Sequence, residues 1–248
     1  MPDGQSHYIE FRHVYKTFDA PVLVDVSFYV NPGETVAIIG RSGVGKSVTL
    51  SHIMGFLKPD QGRVHVAYVD ITDFTEAQLR EIRKRVTMVF QSGALFDSLT
   101  VEENILFSLE LREDYDMQNR EDVVDGLLGM VDLSEYKEAY PADLSTGYRR
   151  AVAIARALAA QPHCVLYDEP TTMVDPIMSE HIGNLMLRLK QHLHLTSVVV
   201  THDLALMRKV ADRVVFLHDG RVIHSGPTDE LEESDHPHIQ EFLSLDMV

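Results

Sequence analysis

The sequence predicts an α/β fold with a mostly parallel, buried sheet at its core. Five short apolar runs rich in β-branched residues recur along the chain, and helical patterns lie between several of them. The runs are TVAIIG (35–40), VTMVFQ (86–91), CVLYDEP (164–170), SVVVTHD (197–203) and RVVFLHDG (213–220). Strands that are apolar on both faces are typical of parallel sheets, because helices cover both faces of such a sheet.

The two stretches nearest the N-terminus follow a different pattern. HYIEFRHVYKTF (7–18) and VLVDVSFYVNPG (22–33) alternate apolar and polar residues, as strands with one face in water do. They predict a smaller antiparallel β subdomain beside the main sheet.

Strand signals stop from about residue 92 to 144. TVEENILFSLELRE (100–113) and REDVVDGLLGMVDL (120–133) carry helical spacing instead. We therefore expect a single domain whose α/β core spans residues 1–91 and 150–230, with a helical subdomain at 92–149 and a C-terminal tail at 231–248. The tail is acidic and then apolar at Ile239, Phe242 and Leu243, a pattern that fits docking on its own core or on a neighbouring molecule.

Composition narrows the class of protein. The chain has 248 residues, 45% of them hydrophobic, and a single cysteine, Cys164, within the apolar run HCVLY. Cys164 is thus expected to be a small buried hydrophobe, and a reducing compartment fits best. With 38 acidic and 22 basic residues the net charge is −16, so no nucleic-acid partner is expected. The short basic clusters at 80–85 and 149–150 are interpreted as solvated helix faces.

No apolar run reaches the about 18–20 residues that span a bilayer. The N-terminal residues MPDGQSHYIEF lack the cationic and apolar regions of a signal peptide. A cytoplasmic location is expected.

The strongest chemical signal is GRSGVGKS, which matches G-x-x-x-x-G-K-[ST]. It follows an apolar strand and opens the helical stretch SVTLSHIMGFL, and it consists of Gly40, Arg41, Ser42, Gly43, Val44, Gly45, Lys46 and Ser47. Glycines let such a loop point its backbone N–H groups at a phosphate, and the helix N-terminus adds partial positive charge. Lys46 would reach the β- and γ-phosphates and Ser47 would bind Mg²⁺. The alternative, a plain glycine-rich turn, leaves the lysine and serine unexplained.

Further polar side chains follow three other predicted strands. Asp168 and Glu169 end CVLYDEP, His202 ends VVVTHD, and Gln91 ends VTMVFQ. Ligands of parallel sheets bind at the carboxyl ends of the strands. There Asp168 can hold Mg²⁺ and Glu169 can polarise the attacking water. His202 can contact the γ-phosphate, and Gln91 can touch the metal and the water. In the alternative reading, two exposed acids merely end a strand.

A helix is predicted after residue 145. Asp143 and Ser145 can cap it, and Ala151, Ile154, Ala155 and Leu158 fall on one apolar face.

Taken in chain order, these motifs resemble those of an ATP-binding cassette (ABC) ATPase over nearly the whole length. The order is phosphate loop, Gln91, helical insertion, LSTGYRRAVAIARAL (144–158), CVLYDEP, VDP and VVVTHD. The resemblance implies a P-loop NTPase of the RecA-like class that uses ATP and Mg²⁺ and couples hydrolysis to transport.

The resemblance also implies roles for residues that no pattern singles out alone. Asp175 would be the acidic residue of the loop that links two cassettes, and Phe18, with Tyr15 as the less favoured choice, would stack on adenine. The family works as head-to-tail dimers. Ser145 and Gly147 of one copy would therefore close over the nucleotide held by the other.

The chain departs from the family at this helix start. Where the family has Leu-Ser-Gly-Gly-Gln, residues 144–148 read LSTGY. If Ser145 is the N-cap, Thr146 takes the first helical position, where φ is negative and glycine is not sterically required. Thr146 adds bulk, and the Tyr148 ring could contact the ribose or the facing loop. The expectation is a working but slowed site.

A finer resemblance is to the ATPases of bacterial MCE-type lipid transporters, such as the Mla system and its Mkl-like relatives. It rests on GRSGVGKSVTL (40–50), TSVVVTHD (196–203) and above all QSGALFDSLTVEEN (91–104). It implies an integral membrane permease, an MCE-domain protein and small accessory cytoplasmic subunits as partners, at the cytoplasmic face of the inner membrane. Phe96, Leu99 and Leu106 would either line a groove for the permease's coupling helix or form the insertion's own core.

Other functions stay open from the sequence alone. An ABC ATPase could serve another substrate, or the chain could be a regulatory cassette that binds ATP but hydrolyses it weakly or not at all. A soluble cassette protein of DNA repair or translation usually carries two cassettes or a long coiled coil. A P-loop kinase or GTPase would have no use for LSTGYRRAVAIARAL.

Overall fold

Two sheets organise the part of the chain that the computed structural model describes, residues 7–110 and 119–244. The strands, in chain order, are β1 (Ile9–Thr17), β2 (Pro21–Val30), β3 (Thr35–Ile39), β4 (Gln61–Val66), β5 (Val69–Asp70), β6 (Val86–Val89), β7 (Cys164–Asp168), β8 (Thr196–Thr201), β9 (Arg213–His218) and β10 (Arg221–Pro227). The larger sheet has the order β10-β9-β3-β8-β7-β6, and the smaller has the order β2-β1-β4-β5.

The helices of the described ranges surround these sheets. They are α1 (Lys46–Ile53), α2 (Glu76–Arg83), α3 (Val101–Glu110), α4 (Arg120–Met130), α5 (Thr146–Ala159), α6 (Pro176–Leu193), α7 (Leu204–Val210), α8 (Thr228–Glu232) and α9 (Pro237–Ser244), with single 3-10 turns at Ser134–Tyr136 and Pro141–Asp143. None of these helices is both long enough and apolar enough to cross a bilayer.

The larger sheet is parallel except for its edge strand β10. Strand β3 pairs in parallel with β8 and β9, and β7 pairs in parallel with β8 and β6, whereas β10 runs antiparallel to β9. Every residue of β3 and β8 is buried, because helices cover both faces. The predicted mostly parallel core is confirmed, and each of the five apolar runs forms one of its strands.

The smaller sheet is antiparallel, as its alternating pattern predicts. Strand β1 pairs antiparallel with both β2 and β4. Its inward residues are buried, and Phe11 stacks on Phe28 of β2 with ring centroids 4.6 Å apart. Alternate residues along both strands are exposed or half-buried, so one face packs on the core and the other meets solvent.

Helices α3 and α4 pack against α5. The buried Asn104 side chain holds the segment that leads into α3, because its amide nitrogen donates to the carbonyls of Phe96, Leu99 and Thr100. Residues 111–113 of the predicted helical stretch lie outside the described residues. The proposed subdomain boundary at 149/150 falls inside α5, so one continuous helix belongs to both units.

The tail docks on its own core. Ile239 and Phe242 of α9 are buried among side chains of β3 and β9. The Phe242 ring meets Phe216 edge to face with centroids 5.1 Å apart, and Glu241 accepts a hydrogen bond from the guanidinium of Arg41 at 2.6 Å. Of the two arrangements that the sequence leaves open, the structure has the intramolecular one.

We predict that Phe242→Ala lowers the free energy of unfolding by about 3 kcal/mol, because the truncation leaves a cavity beside Phe216. Urea unfolding followed by circular dichroism measures the loss. The control is Ile177→Ala at a side chain that is 81% exposed, which should cost less than about 0.5 kcal/mol. Equal effects of the two variants would mean that α9 is not part of the cooperative fold.

Candidate active site

The phosphate-binding pattern forms a tight loop between β3 and α1. Gly45, which caps α1, has φ of 103°, and a Cβ there would lie 2.7 Å from a methyl carbon of Leu23. At Gly40 a Cβ would collide with the carbonyl oxygen of Leu217. Glycine is therefore required at both positions by backbone angle and by space. The loop leaves the first N–H groups of α1 free to bind an anion.

Lys46 is buried at the base of this loop, with only 6% of its side chain exposed. Its Nζ donates hydrogen bonds to the carbonyls of Gly40 (2.9 Å) and Arg41 (3.1 Å) and lies 3.5 Å from Oε1 of Glu169. A buried ammonium of this kind is a strong attractor for a phosphate oxygen, because little water screens its charge.

The two side chains predicted to hold a metal are adjacent. The Ser47 hydroxyl donates to Oδ1 of Asp168 at 2.9 Å. Burial raises the pKa of Asp168, the Ser47 bond opposes this shift, and the nearby Glu169 carboxylate adds to it. The Gln91 amide lines the same cleft as Ser47. The oxygen atoms available to coordinate a metal therefore come from a hydroxyl, a carboxylate and an amide. Mg²⁺ prefers such oxygen ligands, so the residues fit the metal.

Glu169 is held by three neighbours. Its Oε2 accepts hydrogen bonds from His202 Nδ1 at 2.8 Å and from the Thr172 hydroxyl at 3.1 Å, while Lys46 lies on the other oxygen. The backbone of Glu169 has φ of 49°, an unfavourable conformation for a residue with a side chain. The hydrogen bond from its N–H to the Val200 carbonyl at 2.9 Å helps to maintain that conformation. The carboxylate is thereby aimed into the cleft.

Except for Asp168, which bonds to the lining residue Ser47, these side chains line one cleft of about 320 Å³. The complete set is Val22, Ser42, Gly43, Gly45, Lys46, Ser47, Val48, Gln91, Glu169, Thr172 and His202. Sequence reasoning missed Val22, Val48 and Thr172. Thr172 could have been found from its position three residues after Glu169, but Val22 carries no sequence signal.

Phe18 is not among the lining residues. It lies at the turn between β1 and β2, its side chain is 53% exposed, and Lys16 Nζ is 5.6 Å from its ring centroid. Tyr15 is half-buried. The adenine contact of Phe18 stays a prediction.

The residues predicted to face a second copy lie outside the cleft, at the starts of two helices. Ser145 caps α5 and its hydroxyl accepts from the Tyr148 N–H at 3.2 Å, while Asp175 caps α6 by accepting from the Met178 N–H at 3.0 Å. A Cβ at Gly147 would lie 2.8 Å from the Met178 side chain. The two helix starts are therefore packed against each other.

The two residues that depart from the family pattern are both satisfied within the chain. Thr146 is the first residue of α5, as predicted, and its hydroxyl accepts from the Arg149 guanidinium at 3.2 Å. The Tyr148 ring packs on Tyr136 with centroids 5.0 Å apart. The Tyr148 ring thus packs within its own helical subdomain. This geometry does not support the expected contact of the ring with a ribose or a facing loop.

The interpretation of Arg149 and Arg150 as a solvated basic face is wrong. Arg149 donates to the Leu144 carbonyl at 2.9 Å, and Arg150 is only 5% exposed and donates to the Phe90 carbonyl at 3.1 Å. Both guanidinium groups bind backbone carbonyls at the ends of loops, so they hold neighbouring segments together.

An apolar groove lies beside Gln91. Four of its lining residues are half-exposed aromatics, namely Phe56, Phe90, Phe96 and Phe107. Phe96 and Phe107 meet edge to face with centroids 4.7 Å apart. Leu106 packs against the buried core instead, and Leu99 is half-buried outside the groove. Phe96 therefore lines a groove, Leu106 belongs to the core, and Leu99 does neither. That the groove receives a coupling helix stays a prediction.

Comparison with known proteins agrees with this geometry. The sequence model of a family described as "ABC transporter" matches residues 23–172. The chain is 38% identical over 228 residues to methionine import ATP-binding protein MetN 2 of Lactiplantibacillus plantarum, covering 90% of this chain and 66% of that one. It is 37% identical over 243 residues to MetN of Corynebacterium efficiens, covering 93% and 67%. The chain spans about two thirds of the length of these curated relatives.

Solved structures share the fold over nearly their full length. A dimeric post-hydrolysis state of the ATP-binding cassette MJ0796, bound to ADP and Pi, matches with TM-score 0.81 and 32% identity, over 88% of this chain and 98% of that one. CbiO1 from Clostridium perfringens, part of the transporter complex cbiONQ, matches with TM-score 0.85 and 26% identity over 92% of each chain. These relatives give the lipid-transport prediction no support.

We predict that Asp168→Asn stabilises the nucleotide-free, Mg²⁺-free protein near pH 7. Because the folded-state pKa of Asp168 is raised by burial, the ionised carboxylate disfavours folding above that pKa. The penalty is absent below the pKa of the unfolded chain, about 3.9. Asparagine keeps an oxygen for Ser47 and carries no charge.

Thermal melts across pH test this expectation. The variant should melt above the wild type at pH 7, and the gap should close as the pH falls toward 3.5. Asp97→Asn, at an exposed position, is the control and should change little at either pH. A variant that melts below the wild type at pH 7 would contradict the argument.

Proposed function

The chain belongs to the ABC transporter family, and from that membership we propose that it powers a membrane transporter by hydrolysing ATP in a head-to-tail pair of copies. It is an ATPase of this family. The observation that carries the proposal is one cleft, at the carboxyl ends of β3, β7 and β8, that is lined by Lys46, Ser47, Glu169 and His202. Asp168 bonds to Ser47 and His202 bonds to Glu169 at this cleft.

Each group in the cleft has a proposed chemical role. Lys46 and the loop amides bind the β- and γ-phosphates, and Gly40 to Ser47 wrap around them. Glu169 accepts a proton from the attacking water. His202, which donates to Glu169, orients that carboxylate and faces the γ-phosphate. Ser47, Asp168 and Gln91 would hold Mg²⁺, which neutralises charge on the phosphate oxygens when bound. Phe18 is proposed to stack on the adenine.

The pairing of two copies is supported by what lies outside the cleft. Ser145, Gly147 and Asp175 line no part of the chain's own site, although the family pattern gives them nucleotide contacts. Two apolar side chains beside Asp175 are strongly exposed, Met173 at 89% and Ile177 at 81%. A second copy would cover these side chains and would complete each cleft with the helix start of its neighbour.

A membrane permease is proposed to dock in the apolar groove beside Gln91. An amphipathic helix laid across Phe56, Phe96 and Phe107 would bury their exposed surface. The segment after β6 lines both features, because Gln91 lines the cleft while Ala94 and Phe96 line the groove. A docked helix and a bound nucleotide would therefore contact neighbouring residues of one segment. This placement puts the protein at the cytoplasmic face of the inner membrane, with an MCE-domain protein and small accessory subunits as further proposed partners.

For the transported molecule we propose a lipid, with methionine as the second candidate. The relatives named for methionine import share 35–39% identity with the chain, but that identity lies in an ATPase domain that never touches the cargo. The segment QSGALFDSLTVEEN, which resembles MCE-type ATPases, contributes Ala94 and Phe96 to the groove proposed for the permease. We give the resemblance at the groove more weight than the overall identity to the methionine import relatives. The groove would select the permease, and the permease would determine the transported molecule.

Purification of the chain with its membrane partner tests the substrate. We expect the complex, placed in phospholipid vesicles, to move a fluorescent phospholipid when ATP is supplied and not when ADP is supplied. The movement would be either from one leaflet to the other or from the membrane to an acceptor protein. Radiolabelled methionine uptake in the same vesicles is the competing measurement. ATP-driven uptake of methionine without lipid movement would replace the lipid proposal, and neither activity would remove both.

We predict that Glu169→Gln lowers the ATPase rate by about 10²–10⁴, the range for loss of a general base. ATP binding should persist, because Lys46 and the loop amides supply the phosphate contacts. Dimers should accumulate with ATP and Mg²⁺, and gel filtration with light scattering would show them. The matched control is Glu233→Gln, which keeps size and removes an exposed carboxylate that no contact in the described part of the chain joins to the phosphate loop. A wild-type rate in Glu169→Gln would exclude the role.

A further inference from the structure

We propose that Arg150 is a positioning residue that fastens Gln91 to helix α5, so that Gln91 and Ser145 move as one body. Gln91 faces the chain's own cleft, and Ser145 is proposed to face the nucleotide of the partner copy. The inference therefore rests on the proposed function, and it adds a device by which one chain would link the two nucleotide sites of a dimer.

The contact that carries the inference is the hydrogen bond from Arg150 Nη1 to the carbonyl of Phe90, at 3.1 Å. That carbonyl belongs to the peptide unit that ends at the Gln91 nitrogen. Because a peptide unit is planar, fixing the Phe90 oxygen fixes the direction in which the Gln91 backbone starts. The Gln91 side chain is exposed in the cleft, so its own position depends on that backbone.

Helix α5 also holds the far end of the same segment. Arg156 donates to the carbonyls of Gly93 (3.1 Å) and Ala94 (2.8 Å). Gly93 lies against the helix, and a Cβ at this residue would be 3.7 Å from the Cβ of Ala153. Residues 90–94 are therefore bound to α5 at both ends.

The opposite end of α5 carries Ser145. Arg149 donates to the Leu144 carbonyl at 2.9 Å and to the Thr146 hydroxyl at 3.2 Å, which fixes the entry of the chain into the helix. Ser145 and Arg150 are five residues apart, about 7.5 Å along a rigid helix. A shift of Gln91 toward a bound γ-phosphate would thus be transmitted to Ser145 with little loss.

The burial of Arg150 argues against a purely structural role. Only 5% of this residue is exposed, and its Nε donates to no group in the described part of the chain. Burial lowers the pKa of Arg150 and the neighbouring Arg149 adds to this, while the Asp168 carboxylate opposes it. A buried charge with incomplete pairing costs stability compared with an apolar side chain. Holding Gln91 beside the metal-binding carboxylate is a function that an apolar side chain could not serve.

Arg150→Met in a Glu169→Gln background tests the inference, because methionine fills the site without a donor. We expect ADP affinity, measured by calorimetry, to stay within about twofold of the Glu169→Gln parent, since the phosphate loop is untouched. Dimer formation with ATP and Mg²⁺, measured by sedimentation, should weaken at least about tenfold, because a bound γ-phosphate would no longer be linked to Ser145. Arg150→Lys, which keeps one donor and the charge, should recover part of the loss.

Arg188→Met in the same background is the control, because Arg188 is an α6 arginine whose guanidinium pairs with Asp132 at 2.8 Å at the surface. It should dimerise as the parent does. Parental dimerisation of Arg150→Met with normal ADP binding would overturn the inference, as would an equal loss in Arg188→Met. A parent that fails to dimerise would instead overturn the proposed head-to-tail function.

If Arg150→Met does not fold, Arg150→Lys decides the matter. Dimerisation weakened at least about threefold at unchanged ADP affinity supports a positioning role, and unchanged dimerisation overturns it.

Discussion

The parallel pairing of β3, β8 and β7 is the constraint on which the site depends. In this register Ile39 lies opposite Thr201 and Asp168 lies opposite Val200, so three strands end at the same level. The residues that follow these three strands therefore lie together at one cleft. The phosphate loop follows β3, Glu169 follows β7 and His202 follows β8, which places groups more than 100 residues apart within hydrogen-bond reach. A one-residue slip would turn these side chains to the opposite face.

The site is held in an energetically unfavourable arrangement, part of which a bound ligand would relieve. Lys46 is buried, partial burial raises the pKa of Asp168, and Glu169 has a left-handed backbone. Each feature costs stability in the free protein. Phosphate would satisfy Lys46 and a divalent cation would satisfy Asp168, so ligand binding relieves costs that the surrounding sheet sustains. The wholly buried strands β3 and β8 supply the rigidity that this requires.

Sequence reasoning succeeds here where local chemistry decides and fails where packing decides. Strand runs, the glycine-dependent loop and the Ser145 cap are fixed by residue type and spacing, and the structure confirms them. The adjacent arginines Arg149 and Arg150 predict a solvated face, but α5 packs against both β6 and the helical subdomain and buries more than one of its faces. The tail's docking and the contact of Tyr148 with Tyr136 depend on distant partners in the same way, and no local pattern encodes such partners.

The shortest connection between the cleft and the surface proposed for dimer formation runs through the segment after Glu169. Thr172 bonds to the Glu169 carboxylate, Met173 is exposed, and Asp175 caps α6, whose residue Met178 packs on Gly147 at the start of α5. Only two residues, Met173 and Val174, therefore separate Thr172, which donates to the Glu169 carboxylate, from Asp175, the cap of α6. Because α5 also holds the backbone at Gln91, both proposed water-contacting residues, Glu169 and Gln91, are joined to the same pair of helix starts. In the proposed dimer, a change at either residue would reach the second copy through the α5–α6 contact.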